Sequence, residues 1–409
     1  MFDDVQRRRW RLVEYALLAA FAVYVLYYLT GFHFEPLVPE DRRMVDFQMW
    51  YLNPPEIKAL DYPSVLTGTW NIPFPYLPSA VAMMLPLSLM TQNTAFMVWL
   101  GLQVVSFAVV IWAALRLSGI DRSPLRLPIA AAAVFVVSAA VEWDLRAHNN
   151  NLIYLALVML GLVARKGWIT AVLFAVTANL KLYSGVLIPG LLWRREYRLA
   201  LMTALAAIAL AVALPLLVFG PDQALKLFGS WINELLYTAS PAGRAAAPLS
   251  LQKTAAALLG VDIGSAAAIT AARCAQALWL ALVAGYFLVA ARPGSGGSNT
   301  TVERLCDVLV LLMLPLPIST WLVPYHGIVM LPAFVLIVSR LVDPRQPQAI
   351  RIMAGAACIG CVALRFGIPA WELRAGTLAL SLVLTLVTLG AIRMSGNRQA
   401  RLANGLSPV

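Results

Sequence analysis

The chain has 409 residues, of which 61% are hydrophobic and only 12% charged, with a mean hydropathy of +0.77. A soluble domain carries about 25% charged residues, so an ordinary cytosolic enzyme, a disordered protein and a small disulfide scaffold are excluded, and the surplus apolar residues must face lipid. The net charge of +11 comes from 31 Lys and Arg against 20 Asp and Glu, but the positives lie between apolar segments and not on one face, which argues against a nucleic-acid partner.

Apolar segments run near residues 12–31, 76–90, 93–117, 127–142, 149–164, 168–193, 199–219, 265–291, 305–319, 326–341, 352–368 and 374–393. A membrane helix takes ~20 residues. Arg7, Arg8 and Arg9 precede the first segment as in a signal peptide, but Leu12–Thr30 is too long for one and no small-residue cleavage site follows. It reads as a retained first membrane helix. The stretch from Arg292 to Asn299 is a short Gly/Ser-rich loop between helices. The reading is an all-α integral membrane protein: one polytopic domain over 1–409 with about 10–12 transmembrane helices, and two long loops, 32–75 and 220–263, that carry short helices. Cys274, Cys306, Cys358 and Cys361 all lie in or beside apolar runs. The CxxC of the last pair has no second ligand pair nearby, so no metal or redox role is expected.

Seven basic clusters, at 7–11, 116–126, 165–166, 194–198, 292–304, 340–351 and 393–401, hold 20 of the 31 Lys and Arg. Placing all of them in the cytoplasm satisfies the positive-inside rule. It puts both termini inside a plasma membrane and the two long loops on the extracytoplasmic side. Parity then makes demands. Segments 76–90 and 93–117 cannot both span, and Pro73, Pro75, Pro78 and Pro86 suit a broken first piece. Segment 168–193 must go out and come back, turning near Lys181-Leu-Tyr-Ser184. The alternative is a single crossing by 168–193 with 118–150 inverted.

Four stretches could carry chemistry. The first loop contains Val45-Asp46-Phe47-Gln48-Met49-Trp50-Tyr51; a carboxylate among aromatics at the outer surface could take a proton from a sugar hydroxyl, or be a solvated loop acid. Arg146-Ala-His148-Asn149-Asn150-Asn151 opens an apolar helix, where the amides could bind a sugar or merely cap. Asn179-Leu-Lys181-Leu-Tyr183 puts an ammonium inside an apolar run, a functional candidate by default because the charge is costly there; a lipid phosphate would offset that cost. In Pro315–His326, prolines break a helix at an outer mouth. His326 could bind a phosphate or shuttle a proton, or cap a helix. No glycine-rich phosphate loop, zinc motif or DxD pair is present.

These stretches together resemble glycosyltransferase family 87. His148-Asn-Asn-Asn-Leu-Ile-Tyr is similar to the family's Gly-Gln-x-Asn segment. Thr170-Ala-Val-Leu-Phe-Ala-Val-Thr-Ala-Asn-Leu-Lys181-Leu-Tyr183, followed by Trp193-Arg-Arg195, resembles its Lys-x-Tyr-Pro stretch with a trailing Arg pair. Pro248-Leu-Ser250-Leu is similar to its Asn-x-Ser-Leu segment, and Pro317-Ile-Ser319-x-Trp321…His326 to its Ser-Pro-x-Ser-Trp-x-x-His segment. Here Ala147-His148 stands for Gly-Gln, Ser184 for the Pro, and Pro248 for the Asn.

The resemblance implies a GT-C-like bundle and an inverting, metal-independent transferase without a cofactor. It would move a sugar, mannose in the family's usual case, from a polyprenyl-phosphate donor to a glycolipid or glycan at the extracytoplasmic face. It implies Asp46 and His326 as catalytic, Lys181 with Arg43 and Arg244 on the donor phosphate, and His148, Asn150, Tyr183, Trp321 and Tyr325 around the substrates. A secondary transporter or lipid flippase is the competing class. It would show inverted repeats and acids within helices, whereas no repeat is visible and the acids lie mostly in the outer loops.

Overall fold

The computed structural model describes residues 76–239, 250–291, 301–318, 324–366 and 374–403, with Ala16, Phe47 and Tyr51. The expected first membrane helix lies outside the described residues apart from Ala16. Among the described residues there are helices and no strands, as the composition requires: a lipid-exposed backbone must satisfy its own hydrogen bonds.

The helices in chain order are α1 (Pro78–Ser88), α2 (Gln92–Leu117), α3 (Arg126–Val136), α4 (Ser138–Ala147), α5 (Asn151–Val163) and α6 (Gly167–Leu180). A 3₁₀ segment (Leu182–Val186) leads into α7 (Leu187–Trp193). Then come α8 (Tyr197–Phe219), α9 (Pro221–Ala239), α10 (Leu251–Leu259) and α11 (Ala266–Gly285), the last ending in a π turn (Tyr286–Ala290). After α12 (Thr301–Met313), a second 3₁₀ segment (Pro324–Met330) precedes α13 (Leu331–Val342), α14 (Gln348–Phe366) and α15 (Arg374–Ala403).

Among the described residues four helices are long and apolar enough to cross a bilayer alone: 92–117, 197–219, 266–290 and 377–395. α3 and α4 make a fifth candidate, bent by 73° at their junction. The remaining apolar helices, of 10–17 residues, are too short to span singly. α1 is one of them, with Pro78 in its first turn and Pro86 inside it. It leads into α2, which is long and apolar enough to cross alone.

α15 serves as a ruler across the bundle. Leu378 packs on Gly327 of the second 3₁₀ segment, and Arg393 bonds to Asp307 of α12. The two positions are 15 residues apart, ~22 Å along the axis. Lys181 lies within electrostatic range of His326, beside Gly327, whereas Arg194 is paired with Asp307. Residues 181 and 194 therefore lie at opposite ends of the bundle. α6 rises over ~21 Å to Lys181, and the 3₁₀ segment with α7 returns over ~20 Å. Segment 168–193 doubles back within the bundle, with Lys181 at its turn.

The end that carries Arg194 also holds Arg304, through Glu196, and Arg393, through Asp307. Members of three basic clusters, 194–198, 292–304 and 393–401, therefore meet at one end. α8 and α11 present mostly exposed apolar faces, the lipid-facing side of the bundle. The core runs along α12 and α13, where almost every residue is buried.

Candidate active site

The site is built at the other end, around the tip of the hairpin. α6 stops because Lys181 turns to extended backbone (φ −140°, ψ 100°), its N–H still closing the last turn on the Thr177 carbonyl at 2.9 Å. The next turn follows at once, Ser184 N–H donating to the Lys181 carbonyl at 2.8 Å. The Lys181 side chain is only 5% exposed. Its Nζ donates to the Tyr76 hydroxyl at 3.1 Å and sits 4.9 Å from that ring's centroid, so a hydroxyl oxygen and an aromatic quadrupole are among the groups that cushion the charge.

Asn179, two residues earlier, is spent on architecture. Its oxygen accepts from Ser79 Oγ at 2.6 Å, and its nitrogen donates to the Ala175 and Ala207 carbonyls at 2.9 and 3.1 Å. This ties the tip to α1 and α8. On the other flank, the Tyr183 hydroxyl donates to that of Tyr154 at 3.1 Å with the rings edge to face. The hairpin tip is thereby joined to α5.

The start of α5 is a second polar knot. α4 ends on His148 in the left-handed conformation (φ 51°), a geometry that histidine tolerates better than most non-glycine residues. Three bonds hold it there. Trp99 Nε1 donates to the His148 carbonyl at 2.9 Å, Gln103 Nε2 donates to the Asn149 carbonyl at 2.9 Å, and His148 Nδ1 meets Gln103 Oε1 at 3.0 Å. Asn151 donates to Asp144 at 2.7 Å. Asn150 differs. Its side chain is fully buried, and neither its amide nitrogen nor its oxygen has a hydrogen-bond partner among the described residues. Asn151 Oδ1 and Ser184 Oγ are likewise buried without partners. Buried polar groups are nearly always paired, so this concentration at one end marks a place where a polar ligand is wanted.

Phe47 shows how the first loop reaches this end. Its ring is fully buried and meets Phe96 edge-on at 5.3 Å, while Phe96 meets the His148 ring at 4.9 Å. Asp46, its chain neighbour, lies outside the described residues, as do Arg43, Arg244 and Trp321. Tyr325 is placed in the second 3₁₀ segment through its backbone alone. His326 is half-buried in that segment, within range of the Lys181 charge. The structure thus brings Lys181, His326, Tyr183, His148 and Asn150 to one end. Ser250, in the stretch 248–251, caps α10 by accepting from the Lys253 N–H at 3.1 Å.

The profile of glycosyltransferase family 87 matches residues 74–315, more than half of the chain. The chain belongs to glycosyltransferase family 87. No curated protein and no solved structure matches it. The matched range of this family 87 glycosyltransferase takes in Tyr76, His148, Asn150, Lys181 and Tyr183, and leaves Asp46 and His326 outside it. Among the described residues, no three His, Cys, Asp or Glu side chains come together in a way that could hold a metal ion. A buried cation, buried amides and tyrosine hydroxyls suit a ligand that joins an anionic group to a polyhydroxylated one.

Sequence reasoning missed Tyr76, Gln103 and Asp144. Gln103 had a signal, a lone amide in the middle of an apolar 26-residue helix. Asp144 had a weaker one, an acid just past an apolar run. Tyr76 had none, because its role depends on a contact 105 residues away.

Proposed function

We propose that this family 87 enzyme transfers a sugar, mannose in the first instance, from a polyprenyl-phosphate-sugar donor to a glycolipid or glycan acceptor. The observation that carries this reading is the buried Lys181 ammonium at the hairpin tip, at the same end as buried amide and hydroxyl groups that lack partners among the described residues. A lipid-linked donor reaches such a depth from within the bilayer, and its phosphate supplies the anion that a buried cation favours.

The reaction is an inverting displacement. The acceptor hydroxyl oxygen attacks the anomeric carbon, the bond from that carbon to the phosphate oxygen breaks, and polyprenyl phosphate departs with the electron pair. Asp46 takes the acceptor proton. Lys181 and His326, joined by Arg43 and Arg244 from the loops, stabilise the phosphate as its charge develops. His148, Asn150, Tyr183, Trp321 and Tyr325 surround the sugar and acceptor. The basic end faces the cytoplasm by the positive-inside rule, which turns the site to the extracytoplasmic side of the plasma membrane.

The test is direct. Purified protein is given polyprenyl-phosphate-mannose and membrane lipid extract, and products are read by mass spectrometry. A mannosylated lipid is expected. Transfer from a nucleotide sugar, with none from the polyprenyl donor, overturns the reading.

A further inference from the structure

The other end of the hairpin holds a buried ion network that the chemistry does not use. Arg194, at the foot of the return arm, donates to Asp307 on α12 and through Nε to Glu196 at 2.9 Å. Arg393 on α15 reaches the same Asp307 at 3.4 Å and Glu303 at 2.8 Å. The Tyr286 hydroxyl donates to Asp307 at 2.9 Å, and Arg304 bonds the second oxygen of Glu196 at 2.9 Å. The Arg194, Asp307, Arg393 and Glu303 side chains are all less than a tenth exposed.

Two further fasteners accompany it. Trp193 donates to the Ala291 carbonyl at 3.0 Å. Gly190 lies so close to Leu311 that any Cβ there would collide with it. The arm ends with Arg195 in the left-handed region (φ 61°), closed by Glu196 N–H to the Leu191 carbonyl at 2.9 Å.

From this geometry we infer that Asp307 and Arg194 are positioning residues, which fix the register of the return arm and through it the place of Lys181 at the tip. A five-residue 3₁₀ segment and a seven-residue helix have little stability of their own, so the arm lies where it is docked. Buried ion pairs seldom add net stability over apolar replacements. They do demand one partner at one height, and slipping the arm by one turn, ~5.4 Å, would part Arg194 from Asp307. The functional consequence rests on the proposed role of Lys181 at the donor phosphate; the placement of the tip does not.

The experiment separates the two. The four cysteines are replaced, and nitroxide labels are put at Leu182, beside the tip, and Leu380 on α15, both exposed. The distance distribution is measured by pulsed electron resonance in nanodiscs, for the parent and for Asp307→Asn, with donor and acceptor kinetics alongside. The expected result is a shifted or broadened 182–380 distance, and kcat/KM for the donor reduced by about 10- to 100-fold at unchanged acceptor KM. Asp307→Glu should recover both in part. A moved tip with unaltered donor kinetics upholds the positioning role and refutes the phosphate role of Lys181. An unmoved tip, whatever the change in melting temperature, overturns the inference. If Asp307→Asn does not fold, Arg194→Lys, which keeps the charge but loses the fork between Asp307 and Glu196, is judged by the same distances.

Discussion

Replacing Lys181 by Met tests the centre of the proposed site. The folded protein loses the bond to the Tyr76 hydroxyl and the contact with its ring, worth ~1.5–3 kcal/mol and ~0.5–2 kcal/mol respectively. It is also relieved of an ammonium that is 5% exposed, whose desolvation costs several kcal/mol. The relief offsets part of the loss, so the melting temperature in detergent should fall by less than the loss of a buried ion pair would produce. The donor feels only a loss. A hydrogen bond to a charged group is worth ~1.5–3 kcal/mol, and its removal should weaken polyprenyl-phosphate binding by roughly 10- to 150-fold. Calorimetric titration of polyprenyl phosphate into nanodisc-embedded protein reads the affinity, and a thermal melt of the same sample reads stability. Unchanged affinity with a fall of ~3–5 kcal/mol in stability, the signature of a broken buried pair, would refute the reasoning. Lys181 would then be a tie between helices, and His326 with the loop arginines would hold the phosphate.

Asp46→Asn should reduce turnover at least ~100-fold while donor binding persists; near-normal turnover would pass the base's role to Asp41 or Asp61. In a cysteine-free background, Thr94→Cys should react with an impermeant thiol reagent from outside intact cells and Arg198→Cys only after permeabilisation, since both side chains are exposed at opposite ends of the bundle. The reverse pattern would turn the site to the cytoplasm. Asn150→Ala should leave stability within ~0.5 kcal/mol, because the amide has no partner to lose, while lowering kcat/KM for the donor; unaltered kinetics would remove Asn150 from the substrate site. Gln103→Leu removes the bonds to the Asn149 carbonyl and His148 Nδ1, and should cost about 1–3 kcal/mol in denaturant or thermal unfolding; a cost below ~0.5 kcal/mol would mean that the knot at the start of α5 is held by other contacts.

The membrane class, the helical content and the hairpin in 168–193 were legible in the sequence because they follow from sums and counts. Apolar surplus demands lipid, and a lipid-exposed backbone demands helices. Lys181 was legible for the same reason, since a charge in an apolar run is costly wherever the chain goes. Partnerships were not legible. Nothing local distinguishes Asn179, consumed by Ser79 and Ala207, from Asn150, left without a partner. Both are amides beside apolar helices, and only the neighbours that packing brings up decide which one is spent and which one is offered. The same holds for Arg194. In the sequence it is one more basic residue at a helix end, and in the bundle it is nearly buried against an acid 113 residues away. Hydropathy is a property of a segment and can be read along it. The satisfaction of a polar group is a property of a place, and places exist only once the helices have packed.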